Sequence, residues 1–156
     1  MISRPTTQQL IDAICIELGN KVAPTITDPV IQIQLEMALS VLQTAAVRSG
    51  NELAWMHEER EAIEETARQM LEALPDASAA PLQEALQAYT DGLTDSLYLE
   101  EAQQDYARAS EVLSRAIEAA YESGDAGHID AVGRLMDQRH ANQQSVTGQF
   151  MAAGRA

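Results

Sequence analysis

The sequence predicts an all-α protein, a single-domain bundle of five or six mostly antiparallel helices over residues 1–156. Three observations carry that expectation. Apolar residues recur at three- and four-residue steps through most of the chain, the spacing of one face of an α-helix. Glycine, proline and helix-capping residues fall in the gaps between those segments. The hydrophobic fraction is 46% while aromatics make up only 4%, so the core is aliphatic and alanine-rich, a composition that lets helices pack closely.

Thr6 and Thr7 are good N-cap residues for a first helix. Leu10, Ile11, Ile14 and Leu18 follow at helical spacing, and Gly19-Asn20 suits the helix end. Pro24 and Pro29 bound a connector. Residues 30–37 alternate like a strand, but the wider window favours helix. Ile31, Leu35, Ala38, Leu42, Ala45 and Ala46 share one face, and Ile33, Met37 and Val41 widen it. Gln32, Glu36, Ser40 and Gln43 leave only a narrow polar strip. A helix apolar over most of its surface is central in its bundle.

Ser49-Gly50-Asn51 is expected to break the chain, with Asn51 capping the next helix. Leu53, Met56, Arg60, Ile63, Ala67, Met70 and Leu74 then form a narrow seam of the coiled-coil kind. Glu58, Glu59, Glu61, Glu64 and Glu65 cover its outside. Residues 75–81, from Pro75 to Pro81, read as a loop. A short helix with Leu82, Ala85, Leu86 and Tyr89 ends near Gly92. Asp95 or Ser96 is expected to cap a long helix carrying Leu99, Ala102, Tyr106, Ala109, Leu113, Ala116, Ile117 and Ala120, closed by Gly124. Asp125 caps the last helix, whose stripe holds Ile129, Val132, Met136, Arg139, Gln143, Val146 and Phe150. Residues 151–156 are expected to fray. Short turns make successive helices antiparallel neighbours.

The chain carries 24 acidic against 10 basic residues, a net charge of −14. That field repels nucleic-acid phosphates and anionic membranes, so neither is an expected partner. Cys15 is alone, on the apolar stripe of the first helix, and reads as a buried inert thiol with no intrachain disulfide. The first residues have no apolar signal core, and no apolar run reaches the ~20 residues of a membrane span. The expected location is cytoplasmic.

Motifs that carry chemistry are missing. No G-x-S-x-G elbow and no glycine-rich phosphate loop occur, so the expectation is a non-enzyme without a cofactor. The rival is a metal site. His57 and Glu61 are four residues apart on one helix, and Asp137 and His140 three apart on another. A ferritin-like di-iron site needs two Glu-x-x-His pairs and two further Glu residues. Here the second pair has Asp and the first has the wrong order and spacing. No metal is therefore expected, with these four residues as the alternative. Arg60 and Arg139 lie on apolar seams, and Gln143 follows Arg139 on the last. Polar seam positions fit a wet face or a subunit interface better than a dry core. Arg60, Arg139 and Gln143 are thus the expected partner-binding residues. The plainer alternative is an Arg stem packed on apolar surface with its head in water. Arg108, Arg115, Arg134 and Arg139 cluster in sequence, but helical phase does not bring all four to one face.

The layout also carries a resemblance. Arg4-Pro5 opens onto an aliphatic helix with Leu10-Ile11, Pro24 precedes a second apolar helix ending in Arg48-x-Gly50, and Leu113-x-x-Ala116-Ile117, Gly124-Asp125 and Leu135 follow near the end. Residues 4–50 and 110–150 so arranged resemble an uncharacterised family of small helical bacterial proteins. Its genes lie beside aminoglycoside-phosphotransferase-like kinases and acyl-CoA-dehydrogenase-like enzymes. The resemblance implies a non-catalytic accessory or scaffolding subunit, docked on a kinase of acyl-CoA or hydroxy acid metabolism. No catalytic residue carries over. A stand-alone homo-oligomeric binding module is the alternative, and a ferritin-like metal protein the second alternative.

Overall fold

A computed structural model describes residues 4–146. The fold is all-α: five α-helices are present and no strand occurs among the described residues. They are α1 (Thr7–Glu17), α2 (Pro29–Leu71), α3 (Asp76–Gly92), α4 (Leu99–Ser123) and α5 (Ala126–Val146). Phe150 and the tail expected to fray lie outside the described residues. Where the sequence reads as one domain, the chain groups into two compact units. One holds residues 1–52 and 142–156, here the hairpin unit, and the other residues 53–141, here the bundle unit.

In the hairpin unit, Thr6 starts α1 with a capping box. Its hydroxyl accepts from the Gln9 N–H at 3.2 Å, and the Gln9 side chain accepts from the Thr6 N–H at 2.9 Å. The expected stop at Gly19-Asn20 becomes a π-helical turn over Leu18–Val22 and a 3₁₀ turn over Ala23–Thr25. Asp28, which the sequence reading passed over, caps α2. Its Oδ1 accepts from Val30 N at 2.8 Å, just ahead of Pro29 in the first helical position.

Residues 30–37 are helical, as the wide apolar face requires. The expected break at Ser49-Gly50-Asn51 is absent, and α2 runs straight through it. The physical reason is local. Ser49 Oγ donates to the Ala46 carbonyl at 2.8 Å and Asn51 Nδ2 to the Val47 carbonyl at 2.8 Å, so both turn formers bond back into the helix they were expected to end. Gly50 leaves space for α1, since a Cβ there would lie 2.7 Å from Gln8 Oε1. Cys15 and Ala46 are buried.

In the bundle unit, the second half of α2 packs with α3, α4 and α5. Ile63, Ala67 and Met70 meet Leu82 and Tyr89 of α3, Ala109, Val112, Leu113 and Ala116 of α4, and Val132 of α5. The small side chains on α4 allow this close approach. The expected loop at 75–81 is a correction. α3 begins at Asp76, with the Pro75 carbonyl accepting from Ser78 N and Ala79 N, and Pro81 sits inside the helix. Its exposed ring costs one helical hydrogen bond without forcing a break. Gly124 ends α4 in the left-handed region at φ 66°, and Asp125 Oδ1 accepts from His128 N at 2.9 Å to start α5.

Two glycine substitutions test this account by chemical denaturation. Gly124→Ala lowers stability by about 1 kcal/mol, because an L side chain is strained at positive φ although nothing lies within 4 Å of the site. Gly50→Ala raises it by about 0.5–1 kcal/mol, since alanine favours the helix and only the mobile end of Gln8 has to move.

Candidate functional site

The bundle unit contains polar clusters that its apolar core does not explain, and the most buried is centred on Asp105. Asp105, 1% exposed, lies on α4 at the heart of it. Its Oδ2 accepts from the Thr94 hydroxyl at 2.9 Å, from Asp95 N at 3.0 Å and from Arg60 Nη1 at 3.5 Å. Its Oδ1 accepts from Arg108 Nη2 at 2.5 Å, and the same nitrogen donates to the Gly92 carbonyl at 2.6 Å. One carboxylate thus ties α2, the end of α3, the α3–α4 loop and α4 together. It also satisfies backbone N–H groups of the loop that have no helical partner.

Arg60 is the second pole. Its side chain is 9% exposed, and Nη2 donates to Asp95 Oδ1 at 2.6 Å and to His57 Nδ1 at 2.8 Å. An arginine nitrogen can only donate, so His57 Nδ1 carries a lone pair and the ring proton sits on Nε2, which faces Glu61 Oε1 at 3.2 Å. Asp95 reaches this position from a left-handed backbone at φ 51°. It does not cap α4 as expected. That helix begins at Leu99, and Ser96 Oγ accepts from Tyr98 N at 3.1 Å.

The charges support one another. Burial pushes the Asp105 carboxyl up, but hydrogen bonds from the Thr94 hydroxyl and N–H, from Arg108 and from Asp95 N–H outweigh it and hold the group below the ordinary carboxylate value. Burial likewise opposes the charge on Arg60, while its hydrogen bond to Asp95 and the neighbouring acidic groups raise it above the usual guanidinium value. The Arg60 hydrogen bond also lowers Asp95. Beneath this layer the Tyr89 hydroxyl, 3.3 Å from Glu64 Oε2, is pushed up to about 12 by burial.

Above Arg60 opens a cleft of about 490 Å³, walled by Leu53, Met56, Leu97 and Ala102 with His57, Asp95 and Ser96 among its polar groups. Leu97 is 85% exposed and the adjacent Tyr98 79%.

Arg139 belongs to a separate cluster. Its Nε donates to the Tyr106 hydroxyl at 2.8 Å and its Nη2 to Ser110 Oγ at 2.7 Å, while its guanidinium carbon lies 4.9 Å from the Tyr106 ring centroid. Tyr106 in turn donates to Glu59 Oε2 at 2.5 Å. Glu59 was expected on the solvated outside of α2, yet it is 7% exposed. Burial, reinforced by Glu59, raises the Tyr106 hydroxyl above its ordinary value against the pull of Arg139.

The two arginines singled out from the sequence are therefore engaged by side chains of their own unit. Gln143, in the last turns of α5, is exposed and belongs to the hairpin unit. Of the alternative metal set, His57 and Glu61 are in contact, while Asp137 and His140 are exposed on α5. No group of three or more His, Cys, Asp or Glu side chains able to hold a metal occurs among the described residues. Between His57 Nδ1 and Asp95 Oδ1 the place of a cation is taken by Arg60 Nη2.

Asp105 escaped the sequence reading, although a signal for it exists. Residues 102, 105, 109, 112 and 116 step by three and four along α4, which puts Asp105 in a seam position as surely as Arg60. An acidic seam residue on one helix is the natural complement of a basic one on another.

No family model, curated protein or solved structure matches this chain.

The network's pH dependence follows from its sign. A carboxyl held below its ordinary value contributes stability that is present above that value and is lost as pH falls through the lowered one. Wild-type unfolding free energy therefore declines on acidification below the carboxylate range. Asp105→Asn lowers stability at neutral pH by about 3 kcal/mol, because Arg60 and Arg108 lose a buried counter-charge, and its acid limb is shallower than that of wild type. Urea unfolding from pH 3 to pH 7 reads both effects. Parallel limbs would place the acid sensitivity elsewhere.

Proposed function

We propose that this chain is a non-catalytic accessory subunit whose bundle unit docks a partner protein at the cleft above Arg60. The observation that carries this reading is the state of the cleft. Its polar groups are committed to one another, Arg60 holding His57 Nδ1, Asp95 and Asp105, while Leu97 and Tyr98 stand outward at its edge. An apolar cavity beside exposed aliphatic and aromatic side chains suits an anchoring residue from a partner. The surroundings select its flanks. Residues 53–141 hold 19 of the 24 acidic side chains and six of the ten basic ones, a net charge of −13. A partner segment with an apolar anchor and basic flanks is steered to such a surface.

The partner favoured by the family resemblance is an aminoglycoside-phosphotransferase-like kinase of acyl-CoA or hydroxy acid metabolism. Phosphoryl transfer needs phosphate-cradling amides, Mg²⁺ ligands and a base, and the partner would supply them.

Co-expression with an aminoglycoside-phosphotransferase-like kinase tests the reading. The two proteins co-elute, more tightly at low salt. The double variant Leu97→Ser/Tyr98→Ser weakens the complex by about 100-fold, the scale of losing two apolar anchors at an interface, and leaves helicity unchanged. The purified chain alone hydrolyses no ATP. An unaffected complex, or ATP turnover by the chain alone, would overturn the proposal.

A further inference from the structure

The hairpin unit presents a different problem from the bundle unit, and α2 shows it. Leu35, Leu39, Leu42 and Ala46 form a stripe with three- and four-residue steps that is half-buried to fully buried. Val30, Ile33, Met37 and Val41 form a second stripe with the same kind of spacing on roughly the opposite side of the helix. Those four are 61, 48, 55 and 62% exposed. A helix apolar on two sides is the central helix of a bundle. The described part of the hairpin unit covers only one of those sides.

We infer that the Val30–Ile33–Met37–Val41 stripe is the surface on which a second copy of this chain docks, α2 against α2, so that two hairpins complete a four-helix arrangement. Charge selects the occupant. With −13 on residues 53–141, only −1 is left for the hairpin unit, and Glu36 is the one charged residue between positions 29 and 47. Two copies that met through their bundle units would press −13 onto −13. The hairpin is where they approach without that repulsion. A basic foreign partner has no counter-charge to seek on the stripe, whereas an uncharged aliphatic face is its own complement about a two-fold axis.

The patch agrees. The four stripe residues are large and aliphatic, each 48–62% exposed, and lie side by side along α2, the kind of grouped apolar surface that marks a protein contact. The Arg48–Glu52 ion pair closes the C-terminal end of the stripe with a polar rim, as interfaces have.

A bilayer is the competing occupant, because α2 is long and apolar enough to cross one by length and composition. Gln32, Gln34, Glu36, Ser40 and Gln43 argue against it. In hydrocarbon each is a polar group in need of a partner, whereas beside a protein contact they are ordinary rim residues.

Sedimentation equilibrium of the full chain at micromolar concentration is the test. Wild type should run at twice its 17.0 kDa mass. Ile33→Gln/Met37→Gln should raise the dimer dissociation constant about 100-fold, the loss of two buried aliphatic anchors, with an unchanged far-UV spectrum. Ile33→Leu/Met37→Leu should stay dimeric. Leu97→Ser/Tyr98→Ser should also stay dimeric, which separates this inference from the docking of a partner at the cleft. A monomeric wild type overturns the inference. So does a dimer untouched by the glutamine pair, or wild type that floats with phosphatidylcholine vesicles while the glutamine variant does not.

Discussion

The bundle unit depends on the carboxylate of Asp105. A charge buried to 1% exposure is costly unless every lone pair is used, and here two arginines, a threonine hydroxyl and two loop amides use them. The consequence is positional. The α3–α4 loop seats Leu93 on the apolar core while Leu97 and Tyr98 stay exposed, and between them it is held because Thr94 and Asp95 donate their N–H groups to Asp105. Asp95, so placed, receives Arg60. Arg60 then fixes the tautomer of His57, and that pair lines the cleft. A local event, the capture of two amides by one carboxylate, thus sets the geometry of the cleft above Arg60.

The fold class was legible in the sequence because it rests on periodicity, a property that many residues vote on. Even the strand-like alternation of residues 30–37 yielded to the longer helical window. The boundaries were less legible because each rests on one or two residues. Ser49, Gly50 and Asn51 look like a stop, but the two polar side chains can satisfy carbonyls of the preceding turn as readily as they can leave the helix. Pro81 looks like the end of a loop, but one proline near the start of a helix costs a single hydrogen bond, and burial of Leu82 and Tyr89 exceeds that.

The site was half legible. Arg60 and Arg139 stood out as charged residues on apolar seams, and each does organise a polar cluster. What each helix read alone does not show is the partner inside the unit: Asp105 for Arg60, and Tyr106, Ser110 and Glu59 for Arg139. Pairing requires knowing which helices are neighbours, and spacing within one helix does not contain that. Glu59 shows the same limit. Among five glutamates between positions 58 and 65, only its contact with Tyr106 across 47 residues sets it apart.

The two units differ in what makes their packing specific. In the bundle unit, buried ionic groups admit few alternatives, since any other helix register would strand Arg60 or Asp105 without its partner. In the hairpin unit the buried and half-buried residues along α2, Leu35, Leu39, Leu42 and Ala46, are aliphatic, and aliphatic contacts tolerate many arrangements of similar energy. Specificity there has to come from shape and from what is kept away. The near-absence of charge on α2 between positions 29 and 47, against −13 on residues 53–141, does the second of these. In the proposed dimer the aliphatic face is thus a surface on which two acidic copies meet with little repulsion. An acidic residue placed on the stripe itself, at Ile33 or Met37, would restore that repulsion with no effect on the Asp105 network, because none of the network's bonds involves the hairpin.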